Sequence, residues 1–136
     1  MPADDDIAIV KRAFAAFAAR DRAGLEALTG EGLVVHNAVT GSAVGQERYE
    51  GRDALGRYLA DVDRVWERLE LHPQTFHSSR PGEVLVAGSV LAWHGGCARS
   101  VAAAWSWSIV DGVVVYVRVL PVAEASTASL HGRPAG

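Results

Sequence analysis

The chain has 136 residues, enough for one domain with a single hydrophobic core. Its 49% hydrophobic and 21% charged residues are typical of a globular protein and exclude a disordered chain. A net charge of −3 argues against binding to a nucleic-acid backbone, and one cysteine cannot form an internal disulfide. The N-terminus is acidic, and no apolar run approaches the roughly 18 residues of a membrane helix. We therefore expect a cytoplasmic protein with no membrane or nucleic-acid partner.

The first half of the sequence carries three helical patterns. Apolar residues spaced three and four apart predict an amphipathic helix over 5–20. Asp21 is the predicted N-cap of a short second helix. The longest pattern runs over 51–69 and places Tyr58 and Trp66 on one apolar face.

The second half changes to the alternating pattern of strands. Five strands are expected in all: 32–38, 71–79, 84–93, 99–110 and 113–120. Residues 39–50 are predicted to form a loop, Pro81-Gly82 a type II turn and Asp111-Gly112 a two-residue hairpin. Helices grouped before an antiparallel meander indicate an α+β fold. We expect one domain over 5–125 and a disordered tail over 126–136.

Motifs for several common chemistries are absent from the sequence. It has no glycine-rich phosphate loop, no Gly-x-Ser-x-Gly nucleophile elbow and no His-Glu-x-x-His zinc motif. Cys97 follows two glycines near a predicted turn and has no identified partner base, which is typical of an inert cysteine. We therefore expect no cofactor and no metal site, and the catalytic residues stay unknown.

Several short segments, in this order and spacing, resemble the SnoaL-like domains of the nuclear-transport-factor-two-like superfamily. The segments are 19–21, 24–28, 32–37, 49–55, 107–112 and 117–119. The resemblance implies a cone-shaped, curved antiparallel sheet wrapped around three N-terminal helices, a cystatin-like α+β barrel. It also implies a cavity at the open end of the cone, and many members of the superfamily are homodimers.

The superfamily includes ketosteroid isomerases, which use a carboxylate base, a tyrosine and a protonated carboxylic acid. Our alignment to that pattern places Asn37 at the base, Ala13 at or near the tyrosine and Ala103 at the acid. An amide does not take up a proton at neutral pH and alanine donates no hydrogen bond. The resemblance therefore implies that isomerase chemistry of this type is absent.

Two further subfamilies also match poorly at their working residues. Limonene-type epoxide hydrolases hold a water with a tyrosine, an asparagine and an aspartate, and this sequence retains only Asn37. Val35 replaces the tyrosine, Ser89 stands where an arginine is expected, and Val119 replaces an aspartate of the last strand. Polyketide cyclases commonly use an acid near the end of that strand, where Glu124 is the first acid here. Fold resemblance alone therefore does not assign an activity.

Strand alternation and the resemblance together predict an apolar inner wall. The odd-numbered residues of 85–93, 105–109 and 113–119 are expected to face inward, with Phe14 and Phe17 opposite them. The predicted pocket residues are Asn37, Tyr58, Trp66, Ser89, Trp93, Trp105 and Trp107. The alternative for each aromatic is that it only fills the core, and Asn37 could instead serve a turn.

We therefore predict a protein that binds a small hydrophobic or aromatic molecule without the known catalytic sets. One alternative is a cyclase, isomerase or dehydratase with a non-standard site built from Asn37, Tyr58 and a histidine. Another is a structural dimerisation module. Tyr116 and Arg118 lie on the predicted outer face of the sheet, where we expect a homodimer contact or a solvated edge.

Overall fold

The computed structural model describes residues 2–37 and 48–121. The helices are α1 (Pro2–Ala18), α2 (Arg22–Ala27) and α3 (Ala54–Val65). The strands are β1 (Thr29–Asn37), β2 (Arg48–Glu50), β3 (Arg68–Arg80), β4 (Glu83–His94), β5 (Cys97–Val110) and β6 (Val113–Pro121). The predicted tail over 126–136 and residues 39–47 of the predicted loop lie outside the described residues. Within the described ranges, no helix is long and apolar enough to cross a bilayer.

The six strands form one sheet in the order β2-β1-β6-β5-β4-β3. All neighbouring pairs are antiparallel except β1 and β6, which are parallel, so the sheet is mixed. The helices pack on one face of it, and their apolar stripes share a single core with that face. The predicted α+β class is confirmed. The parallel pair also brings Asn37, at the end of β1, beside Val119 of the last strand.

The first two helices follow their sequence signals. Val10, Phe14 and Phe17 are buried on one face of α1, as their spacing predicts. Arg20 has a φ of 56°, and the chain turns there into α2. The carboxylate of Asp21 accepts a hydrogen bond from the Gly24 backbone N–H at 2.9 Å, which caps α2 as predicted.

The long helix ends earlier than its apolar pattern predicts. The last helical hydrogen bond runs from the Trp66 N–H to the Val62 carbonyl, and Trp66 itself has extended backbone angles. The Glu67 N–H then bonds to the Trp93 carbonyl, and β3 begins. The prediction that Trp66 lies on the helix is therefore wrong. The apolar residues that continue the helical spacing, such as Leu69, belong to a strand instead, because pairing with β4 overrides the local pattern.

The predicted inward face of β4 is also wrong. The buried residues are Val84, Val86, Val90 and Ala92, whereas Leu85 is 53% exposed. Val84 and Val86 lie directly opposite Trp107 and Trp105, and opposed residues in an antiparallel pair share a face. Both faces of β4 carry apolar side chains, so alternation alone does not distinguish the inner set.

The last strand changes face partway along its length. Ser108 pairs with Tyr116 and Ile109 with Val114, so Val115 is an extra residue in the ladder. The prediction that the odd-numbered residues of this strand face inward therefore holds for Val117 and Val119, which are buried. It is wrong before the bulge, where the even-numbered Val114 is buried instead.

Candidate functional site

A narrow cavity lies between the helices and the inner face of the sheet. Its volume is about 30 Å³, room for one or two water molecules. The aliphatic part of the wall consists of Ala13, Leu25, Val35, Leu55, Leu71, Val117 and Val119. Ala13, Val35 and Val119 are the positions where the resemblance implies catalytic groups, and all three contribute only alkyl groups to this wall.

Five aromatic rings complete the wall, those of Phe14, Phe17, Tyr58, Trp105 and Trp107. Phe14 stands at their centre, with its ring centroid 5.2 Å from Trp105 and 5.4 Å from Trp107, both in edge-to-face geometry. Phe17, one turn further along α1, contacts the ring of Tyr58 at 6.0 Å. Such contacts stabilise the rings beyond the area that they bury.

One polar pair interrupts this wall. Asn37 is 3% exposed, and its Nδ2 donates a hydrogen bond to the Tyr58 hydroxyl at 2.8 Å. Asn37 faces inward because it continues the alternation of Leu33 and Val35 along β1. The pair joins the end of β1 to α3 and gives the cavity a fixed polar point.

A second tyrosine packs against the ring of Tyr58 in this pair. Tyr49 of β2 is 1% exposed, its ring lies 5.7 Å from that of Tyr58, and its hydroxyl donates to Asp61 Oδ2 at 2.6 Å. Burial, with the hydrogen bond to Asp61, raises the pKa of Tyr49 above its ordinary range. The same hydrogen bond lowers the pKa of Asp61. The sequence prediction missed Tyr49 because it placed residues 39–50 in a loop.

The structure brings together four of the seven predicted pocket residues. Asn37, Tyr58, Trp105 and Trp107 line the cavity. Trp66 follows the end of α3 and contacts the ring of His94 at 5.7 Å. Ser89 and Trp93 are on the outer face of the sheet, where the guanidinium of Arg68 lies 4.8 Å from the Trp93 ring.

Two buried indole N–H groups have no hydrogen-bond partner among the described residues. They belong to Trp66 and Trp107, and only Trp107 lines the cavity. The Nδ1 atom of His36 is likewise buried without a described partner. His36 follows the inward-facing Val35 and precedes Asn37 on β1, so it lies on the opposite face of the sheet.

A wider groove adjoins the cavity between the end of α1 and the edge strand β3. Its volume is about 410 Å³. Phe14, Phe17 and Leu71 border both spaces, while the charged residues of the groove wall are Arg20, Arg68, Glu70 and His72. The Arg20 guanidinium donates to the Leu69 carbonyl at 3.1 Å and pairs with Asp63 at 3.1 Å. The three shared apolar side chains therefore stand between a polar groove and an apolar cavity.

The described residues contain no group of three His, Cys, Asp or Glu side chains that could hold a metal ion. The titratable side chain in the described cavity wall is the phenol of Tyr58. That part of the wall offers aromatic and alkyl surface, one amide, one phenol and the indole N–H of Trp107.

Comparison with known proteins identifies the fold. No protein-family model and no curated protein matches the sequence. The chain is similar to TerC co-crystallised with polyporic acid, with 19% identity, a TM-score of 0.77 and coverage of 91% of this chain and 96% of that one. It is similar to an NTF2-like protein of unknown function from Burkholderia pseudomallei, with 19% identity, a TM-score of 0.77 and coverage of 90% and 95%.

A third similar structure is that of a candidate SnoaL-like polyketide cyclase from Jannaschia sp. CCS1. The identity is 16%, the TM-score is 0.71, and the match covers 96% of this chain and 94% of that one. The fold that the resemblance implies, that of SnoaL-like and other NTF2-like proteins, is thus confirmed over nearly the whole chain. At this level of identity the likeness concerns the fold alone.

Proposed function

We propose that the protein binds a small, apolar or aromatic molecule in the cavity beneath the sheet. The observation that carries this proposal is the composition of the cavity wall: aromatic rings and alkyl groups surround one amide and phenol pair. Small-molecule sites typically combine such apolar surface with a few placed polar groups. TerC, a protein of similar fold, was co-crystallised with polyporic acid, which supports a ligand-binding role for a protein of this fold.

The cavity must enlarge to accept such a ligand, since about 30 Å³ holds only water. The cavity can enlarge toward the groove, because the two spaces share part of their walls. Displacing Phe14 and Leu71 would join the cavity to a space of about 410 Å³, within the range of small-molecule pockets. We expect a single-ring hydrocarbon to bind with a Kd on the order of 0.1–1 mM, because opening the aromatic cluster offsets part of the gain from burial.

The wall gives less support to the enzymatic alternative. Cyclisation, isomerisation and dehydration need an acid or a base at the reacting atom. The described part of the wall holds no carboxylate, imidazole, amine or thiol. Tyr58 is the group of this wall that could donate a proton, and no carboxylate, imidazole or amine of the described wall accompanies it as a base.

A cavity-filling variant tests the proposed function. Ala13→Leu adds three carbons to the buried wall of α1, whereas the control Ala15→Leu adds them to the exposed face of the same helix. Calorimetric titration with isopropylbenzene should show binding by the wild type and by Ala15→Leu, and at least tenfold weaker binding by Ala13→Leu. Val119→Leu narrows the cavity from the sheet side and replaces Ala13→Leu if circular dichroism shows that the latter does not fold. Equal binding by all variants would contradict a cavity site.

We also propose that two copies associate through the outer face of the sheet. The described helices pack on the inner face, yet β4 also presents Leu85, Leu91 and Trp93 outward. A strand with apolar side chains on both faces is typical of a sheet covered on both sides. Light scattering should show a dimer for the wild type and for the control Ala15→Arg on α1, and a monomer for Leu85→Arg. A wild-type monomer at 100 µM would contradict the association.

A further inference from the structure

We infer that Trp107 selects the ligand, and that the preferred class is a neutral, compact apolar molecule carrying one hydrogen-bond acceptor, such as an aryl ketone. This inference rests on the proposed function. It goes further because it names the chemical group that the ligand must carry and the side chain that recognises it.

The indole of Trp107 has a hydrogen-bonding capacity that the described residues do not use. The side chain lines the cavity, the residue is 5% exposed, and its buried Nε1 has no described partner. An indole N–H is a donor only, so an acceptor must approach it for the hydrogen bond to form. Leaving such a donor buried and unpaired is unfavourable, and a ligand acceptor would remove that penalty.

The immediate neighbours of Trp107 do not supply an acceptor for its indole N–H. On the sheet the residue lies between Val84 of β4 and Val117 of β6, and the Phe14 ring lies 5.4 Å away. None of these side chains contains an oxygen or nitrogen atom. The strand backbone around Trp107 is engaged in the β4–β5 and β5–β6 ladders.

The same wall argues against a charged ligand. Arg20, Arg68 and His72 line the adjoining groove, but the described residues that line the cavity itself, around Trp107, include no arginine, lysine or histidine that could pair with a carboxylate. An ionised group that enters an apolar site without a partner loses its hydration and gains nothing comparable. A neutral carbonyl oxygen loses less hydration and can accept the indole N–H.

The test compares three probes of similar size: acetophenone, isopropylbenzene and benzoate. Acetophenone and isopropylbenzene share a ring and a branched substituent, and acetophenone alone has a carbonyl oxygen. Titrations on the full chain at pH 7 give a Kd for each probe. Proton NMR of the four indole N–H groups reports where the acceptor lies. The Trp107 signal is identified by its loss in Trp107→Phe.

Two variants separate recognition from packing. Trp107→Phe keeps an aromatic ring and removes the donor. Trp66→Phe is the matched control, because the Trp66 Nε1 is also buried without a described partner but does not line the cavity. Binding of isopropylbenzene by Trp107→Phe establishes that the cavity still accepts a guest.

We expect the Trp107 indole proton to move downfield with acetophenone and not with isopropylbenzene. The ratio of the acetophenone Kd to the isopropylbenzene Kd should rise about fivefold or more in Trp107→Phe, as expected for one lost hydrogen bond, and stay unchanged in Trp66→Phe. Benzoate should bind at least tenfold more weakly than acetophenone.

An unchanged ratio of the two Kd values, together with an indole signal that does not move, would overturn the role of Trp107. Tight binding of benzoate would overturn the preference for a neutral ligand. In both cases the proposal that the cavity binds a ligand would stand. Failure of both neutral probes to bind would instead refute the proposed function itself.

Discussion

The hydrogen bond between Tyr49 and Asp61 provides a quantitative test of how β2 is held against α3. The hydroxyl of Tyr49 is 2.6 Å from the carboxylate, and Tyr49→Phe removes only that oxygen. A hydrogen bond to a charged group contributes about 1.5–3 kcal/mol. The Asp61 side chain is 27% exposed and lies 3.2 Å from Arg64, so the carboxylate can regain water after the change. We therefore expect a loss near the lower end, about 1.5 kcal/mol, and a Tm lower by about 4–8 °C.

The pH dependence of this loss follows from the two pKa shifts. Because the folded pKa of Asp61 is lowered, the contribution of this group to the unfolding free energy is present above its unfolded pKa. That contribution disappears as the pH falls through the folded pKa. Because the folded pKa of Tyr49 is raised, its contribution to the unfolding free energy is present below the unfolded pKa of about 10 and declines as the pH rises above that value. The difference between wild type and Tyr49→Phe should therefore be constant from about pH 5 to 9 and shrink on either side.

Urea denaturation at pH 7 measures the loss of unfolding free energy in Tyr49→Phe, and urea denaturation at pH 3 measures its decrease in acid. Tyr116→Phe is the control, because Tyr116 lies on the outer face of the sheet, and its unfolding free energy should change by less than about 0.5 kcal/mol. Equal losses for Tyr49→Phe at the two pH values would show that the effect comes from packing. No loss at pH 7 would refute the assigned hydrogen bond.

Two further substitutions test local structure. Asp21→Ala removes the cap on Gly24 and should lower the unfolding free energy by about 1 kcal/mol, with Asp21→Asn retaining most of it, as measured by urea denaturation. Gly82→Ala forces a side chain onto a φ of 82° and brings its Cβ to 2.8 Å from the Ile109 carbonyl oxygen, so a loss of about 1–3 kcal/mol is expected. Gly32→Ala meets nothing within 4 Å and should be nearly neutral; similar thermal melts for both alanine variants would contradict the assigned turn.

The elements that were predictable from the sequence are those in which local and tertiary preferences agree. The Asp111-Gly112 hairpin is one, because both residues have positive φ, 52° and 79°, as the turn type suggested by this dipeptide requires. The inward face of β5 is another, because Trp105 and Trp107 alternate with serines, and only the tryptophan set is buried.

The errors occur where the sequence permits two structures. β4 is apolar on both faces, and only its register with β5 determines that Val86 faces inward and Trp93 outward. Trp66 continues the helical spacing of α3 but follows its last hydrogen bond. Among the candidate site residues, Asn37 and Tyr58 were predictable one at a time. Their hydrogen bond joins residues 21 positions apart and depends on how α3 packs against β1.

The most direct test of the cavity site is a methyl NMR titration of the full chain with isopropylbenzene. We predict saturable shifts for the methyl groups of Val35, Val117 and Val119, which line the cavity. The methyl groups of Leu85 and Val110 serve as internal controls and should not move, since these residues are 53% and 54% exposed and do not line it. Absence of shifts at the cavity valines, or shifts confined to the exposed residues, would contradict the proposed binding site.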